Sequence, residues 1–552
     1  MRLPVAALIA CVVGFAAGQS RACETFGKGL GQSLTAAERT VWYGASMGSR
    51  VMPERWYRAL MRADDGTAFA ARANLQRYGL RFCDEASVDP IGFVADADAG
   101  RAAAIGLTCA ACHTGHLTDG KRDYLVVGGP ATLDLQDFLQ DLFVALLKVR
   151  SGSYQDAALT EDWQAFAAAV LLADSDPQAA KALHAEVTVW LQTRKDIQAS
   201  LHGGGAWGPG RVDAAQMTAN SMAVLSQSPN VAGLPAASAP VSIPHLWLAM
   251  PGTSANAADI GIAGSDGLSR PIAKTVGLFA EVTLPDPKVL ADGAVAAVET
   301  SIRTDNLRAL ERVRAAITPP LWPQDWGVID VASPDWAAGQ AIYRAQCAAC
   351  HALIDRARPP QALQDATGLA LVAEPLGKGV DFVRRIDVFA GPVHAGPVLG
   401  TDPAQLCNAM ALSSRLSTLD LQNLNEMRVH CASQMAALTK ENQASVMGYL
   451  AGPLAGIFAT APYLHNGSVP TLDDLLLPPD QRPTRFAVGE VLFDPAKVGL
   501  GAALPEGAVS EFRVTSPKGR MLVGNANEGH AFPAIPLSAV QRAQLILYLK
   551  SL

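Results

Sequence analysis

The pentapeptide Cys-Ala-Ala-Cys-His occurs twice in this chain, at Cys109–His113 and at Cys347–His351. With nine cysteines and ten histidines in 552 residues, roughly 0.003 C-x-x-C-H matches are expected by chance. C-x-x-C-H is the attachment pattern of c-type haem. Two thiols bond to two porphyrin vinyl groups, and the adjacent imidazole falls beneath the iron. The residues must be contiguous because all three meet one planar macrocycle. A zinc site gathers four ligands from pairs that lie close together, whereas these pairs are far apart and each carries its own His. A dithiol redox pair has no use for that His. The motifs therefore predict two covalently bound haem c groups, on Cys109 and Cys112 and on Cys347 and Cys350, with His113 and His351 as proximal ligands.

Covalent haem is attached outside the cytoplasm, and the N-terminus agrees. Arg2 precedes an apolar run, Val5–Ala17, and small residues follow at Ala16, Ala17, Gly18 and Ser20. This reads as a signal peptide over residues 1–20, too short to span a bilayer. The expected location is periplasmic or secreted. No later stretch has the length of a transmembrane helix, so no integral membrane segment is expected. The net charge of −7 and the lack of Lys/Arg runs argue against a nucleic-acid partner. Beyond Cys11 and the motifs, Cys23, Cys83, Cys407 and Cys431 remain. In an oxidising compartment they suggest two disulfides, Cys23–Cys83 and Cys407–Cys431 if neighbours in sequence pair.

The chain carries 48 glycines and 35 prolines, which favours turn-rich structure. The expected fold is mainly α with much irregular structure, built as two cytochrome c-like haem domains with insertions. Residues 24–335 form an N-terminal haem domain with helical additions, where Thr160–Leu201 reads as helical. Residues 336–552 form a C-terminal cytochrome c-like domain. Its first helix leads from Trp336 into the second motif, and its last starts at an N-cap on Ser538.

Several stretches carry a family likeness. The most specific is LAGIFATAPYLHNGSVPTLDDLL (Leu454–Leu476). Others are GLTCAACHTGHLTDGKRDYLVVGGPATLDLQDF (Gly106–Phe138), WGPGRVDA (Trp207–Ala214), APVSIPHLW (Ala239–Trp247) and GNANEGHAF (Gly524–Phe532). With two C-x-x-C-H sites, the chain resembles the dihaem cytochrome c peroxidase superfamily. The likeness is strongest to the branch holding the dihaem rubber oxygenases, and more distant to MauG-like enzymes. The resemblance implies an oxidoreductase whose first haem activates peroxide or dioxygen while the second relays electrons. A small redox protein is the implied electron partner. Two alternatives stand beside this: a pure electron-transfer cytochrome, and an oxygenase cleaving a polyisoprene-like substrate.

Candidates for the second iron's other axial ligand are His394, His430, His465, His530, Met410, Met427, Met435 and Met447. The family pattern places a distal His at His530, with His465 the alternative. His116 lies too near the first motif to reach the opposite face and reads as a pocket-rim or propionate residue. His184, His202 and His245 read as structural or exposed. Trp207, in a block between the motifs, is a candidate electron relay or a buried wedge, and Arg211 a candidate propionate partner. The rubber-oxygenase pattern also places a Phe over the open haem. Here Met217 and Met222 stand in that neighbourhood, a departure that argues against polyisoprene cleavage.

Overall fold

The computed structural model describes residues 23, 29–98, 100–151, 160–172, 176–225, 234–247, 269–283, 299–348, 351, 454–503, 509–531 and 536–552. The signal-peptide stretch, Cys350, Cys407, Cys431, His394, His430 and the four candidate methionines of the second half lie outside these residues. Among the described residues helix is the larger share, at 42%, against 17% strand.

The first core forms around an amphipathic helix, Leu135–Val149, whose buried Leu135, Phe138, Leu139, Leu142, Leu146 and Val149 recur at helical spacing. Asp134 caps it, accepting from the Asp137 N–H. Against it pack the helices Glu161–Leu171, through Trp163, Phe166 and Val170, and Pro177–His202, through Leu183, Val187 and Leu191. The sequence reads as helical over Thr160–Leu201, and the structure places two helices there. Pro177 sits at the first turn of the second helix and Asp176 caps it. The residue before a proline is pushed out of helical geometry, so the chain must restart there.

Strands are more frequent than the sequence reading allowed. Met52–Pro53, Arg101–Leu107 and Phe93–Asp98 form an antiparallel sheet with Arg101–Leu107 in the middle. That central strand delivers the chain into the first motif at Cys109. Gly92 (φ +81°) lies against it, and any Cβ there would overlap the Ala111 backbone. The buried Asp96 carboxylate ties the region together. It accepts from Arg50 at 3.0 Å, Arg303 at 2.9 Å and Ser46 at 2.8 Å. Burial opposes its charge, but these donors hold its carboxyl below the usual range. Cys23 and Cys83 form a disulfide with Cα atoms 4.8 Å apart.

In the second half, the helix Pro334–Gln346 is capped by Ser333 and the helix Ala539–Lys550 by a capping box of Ser538 and Gln541. The two helices cross at Gly339, where a Cβ would overlap the Gln544 carbonyl oxygen. Tyr548 packs between Trp336 and Tyr343, ring centres 5.2 and 5.1 Å away. Trp336 also donates to Ser551 Oγ at 3.0 Å. Between the two helices in sequence lie two antiparallel strand pairs, Arg485–Gly489 with Val509–Arg513 and, nested inside it, the hairpin of Val491–Asp494 with Gly499–Ala503. Among the described residues, no helix is long and apolar enough to cross a membrane.

Candidate haem sites

In each pentapeptide the His returns a backbone hydrogen bond to the first Cys. Cys109–Cys112 is a single helical turn, and the His113 N–H donates to the Cys109 carbonyl at 2.9 Å. The His351 N–H donates to the Cys347 carbonyl at 2.8 Å. Each turn therefore brings its His back under its first Cys.

At the first motif, His113 Nδ1 lies 2.9 Å from the Pro244 carbonyl oxygen. A carbonyl only accepts, so the proton is on Nδ1 and the lone pair on Nε2, the tautomer a metal-binding imidazole needs. The surroundings are rigid: the Gly128 N–H donates to the His113 carbonyl and the Ala131 N–H to the Cys112 carbonyl. The hydroxyls of Thr108 and Thr114, which flank the motif, are buried and have no hydrogen-bond partner among the described residues. Burial pushes the Cys109 thiol up to about 11 and the Cys112 thiol up to about 12. A redox dithiol works with a lowered thiol, which this environment does not provide.

At the second motif, Tyr343 is fully buried and donates to the His351 carbonyl at 2.6 Å. The His351 ring faces that of His530, with centres 6.2 Å apart and planes at 47°. Two imidazoles bound on opposite sides of one metal, at metal–nitrogen distances of about 2.0–2.1 Å, have ring centres roughly 6 Å apart. The pair thus fits a single iron between them. His465 instead lies in the turn closed by the Tyr463–Val469 bridge, and its carbonyl accepts from the Ser242 N–H at 2.9 Å.

The other candidates fall as follows. His116 Nε2 pairs with Asp123 at 2.8 Å across the hairpin Thr114–Thr118/Asp123–Val127. Trp207 is buried in the first core; its N–H donates to Gln136 Oε1 and its indole N–H to the Ala237 carbonyl. Arg211 is buried and gives its guanidinium to the carbonyls of Trp207, Pro240 and Gly524 and to Asn525 Oδ1. It thereby links the inter-motif block to the loop before His530. His245 stacks on Trp247 with ring centres 4.7 Å apart, and burial lowers its pKa to about 4.

Trp247, which the sequence reading did not single out, shares one hydrophobic cluster with Ala110 of the first motif and Ala348 of the second. Its indole N–H donates to the Ala455 carbonyl at 2.8 Å. Pro244 and Trp247 both lie in the family-like stretch Ala239–Trp247, the one signal that pointed there.

A family model described as RoxA-like, cytochrome c-like matches residues 448–487. The chain is also similar to uncharacterized protein y4iJ of Sinorhizobium fredii (strain NBRC 101917 / NGR234), 27% identical over 95% of this chain and 93% of that protein. Uncharacterized protein y4iM of the same organism is 41% identical over 17% of this chain and 22% of its own length. The chain therefore contains a RoxA-like cytochrome c-like domain, and such a domain implies at least one covalent haem c. The matched segment includes His465, Asn466 and Arg482 but neither pentapeptide.

Proposed function

We propose that this c-type cytochrome carries two haem c groups and acts as an exported dihaem oxidoreductase of the peroxidase type. The observation that carries the reading is the facing of His351 and His530 at 6.2 Å. That pair gives the second centre two protein ligands. When bound, a haem with two imidazole ligands supplies electron transfer, and one with a single imidazole supplies an open position for peroxide or dioxygen.

The chain's own residues divide the two roles. Pro244 holds the His113 proton on Nδ1 and so aims Nε2 at the first iron. Tyr343 and the Cys347 carbonyl fix His351 from behind, and the Gly524–His530 loop presents the second imidazole. Cys109, Cys112, Cys347 and Cys350 are the covalent anchors. The Met217 and Met222 neighbourhood, in place of the Phe of rubber-cleaving relatives, favours small oxidants over a polyisoprene chain. A small redox protein in the periplasm is the proposed electron partner.

One observation favours an electron-transfer protein instead. Met217 is buried in the same hydrophobic cluster as Ala111 of the first motif, and its thioether is the candidate second ligand of the first centre. The test is to add cyanide, carbon monoxide to the reduced form, and hydrogen peroxide to the purified protein. Rapid spectral change confined to one haem and absent in His113→Ala supports the oxidoreductase. Two haems that ignore all three, with Met217→Ala opening the first, establish the electron-transfer cytochrome.

A further inference from the structure

The loop Gly524–His530 contains no helix or strand, yet it must hold an imidazole to within a fraction of an ångström. It also carries an unfavourable backbone. Gly529 has φ +82° and His530 itself φ +46°, a region costly for a residue with a Cβ. Such a segment keeps one shape only if its surroundings over-determine it.

Buried side chains from other segments supply that. Gly524 O accepts from Arg211 and from Asn466, both at 3.1 Å, and Ala526 O from Asn466 at 2.8 Å. The part nearest His530 belongs to Arg482. Its Nη1 donates to Asn527 O at 2.8 Å and Gly529 O at 2.7 Å. Its Nη2 donates to Leu475 O and to the carbonyl of His530 itself, both at 3.1 Å. Asn527 Nδ2 answers with a bond to Pro483 O at 2.9 Å. A planar fork of donors reaches these carbonyls at once, which a lysine ammonium on a flexible stem does not.

Arg482 is 3% exposed, and no carboxylate pairs with it among the described residues. Burial lowers its pKa to about 10, which leaves it charged at neutral pH. Dipoles alone therefore solvate a full positive charge within hydrogen-bond reach of the His530 backbone.

We propose that Arg482 is a positioning residue for the second haem centre, fixing His530 in its ligating pose and placing a buried cation against the backbone of that ligand. This rests on His530 being the partner of His351. A cation there favours the less positive, reduced iron and so raises its reduction potential, since local charge and burial tune haem potentials.

The experiment uses the full-length holoprotein, with Arg482→Met, Arg482→Lys and His530→Ala compared by low-temperature EPR and spectroelectrochemical titration. The first haem is the internal control. Arg482→Met is expected to lower the second haem's midpoint potential and diminish its low-spin signal, with added imidazole restoring that signal. Arg482→Lys is expected to keep the potential nearer that of the unsubstituted protein while still losing part of the low-spin population. Should Arg482→Met disturb both haems through misfolding, the lysine variant decides. Unchanged spectrum and potential in both variants, or a loss of thermal stability with neither altered, overturns the proposal. If His530→Ala abolishes the low-spin signal and Arg482→Met does not, only the positioning role falls. If His530→Ala leaves the signal intact, the ligand reading falls and this proposal with it.

Discussion

His351 and His530 stand ring to ring, 6.2 Å between centres, although one closes a covalent attachment motif and the other ends an irregular loop. That spacing matches two imidazoles held on one metal, so His530 rather than His465 is the proposed axial partner of His351. His530→Ala is expected to convert one low-spin haem to high-spin while the other keeps its spectrum. His465→Ala is expected to leave both spin states unchanged. The reverse pattern in EPR spectra would reassign the ligand.

The crossing of Pro334–Gln346 with Ala539–Lys550 depends on Gly339, which lies directly against the Gln544 carbonyl. A methyl group there forces the helices apart. Gly339→Ala is expected to cost about 1–3 kcal/mol by overpacking, read in denaturant unfolding. Because the first of these helices leads into Cys347, the second haem's spectrum should change before the first's as denaturant is added. A variant as stable as the unsubstituted protein would show that the helices have room.

Asp134 titrates in an unusual range. Burial, reinforced by the nearby Asp137, pushes its carboxyl up to about 6. The folded state thus holds its proton more tightly than the unfolded chain, whose value is about 3.9. The resulting loss of stability is absent below about pH 4, grows between about 4 and 6, and is complete above about 6. Asn accepts the same cap hydrogen bond without the charge. Asp134→Asn is therefore expected to gain about 1–3 kcal/mol at pH 7 and nothing at pH 4. Equal effects at both pH values would contradict the origin in burial.

How much of this was legible depends on whether the chemistry is local. Covalent haem attachment demands contiguous residues, so the two pentapeptides stand out in the bare sequence. The N-cap at Ser538 is legible for the same reason. The helix start at Asp176–Pro177 is written in the proline. Short strands such as Met52–Pro53 form by pairing with distant partners and leave almost no periodic trace. The Pro244 carbonyl that sets the His113 tautomer cannot be read at all, because every residue has a carbonyl. Arg482 resembles any surface arginine until the fold buries it under the His530 loop. Arg211 stands out in the sequence as a candidate propionate partner, but its bonds to distant backbone carbonyls and to Asn525 are not legible there.

The central claim is that one chain binds two haems covalently. The most direct measurement is pyridine haemochrome quantitation of the purified, acid-acetone-extracted protein, together with its intact mass. Two haem equivalents per chain are expected, falling to one in Cys109→Ala/Cys112→Ala and to one in Cys347→Ala/Cys350→Ala. A single haem in the unsubstituted protein, or haem that leaves in acid acetone, would contradict the account.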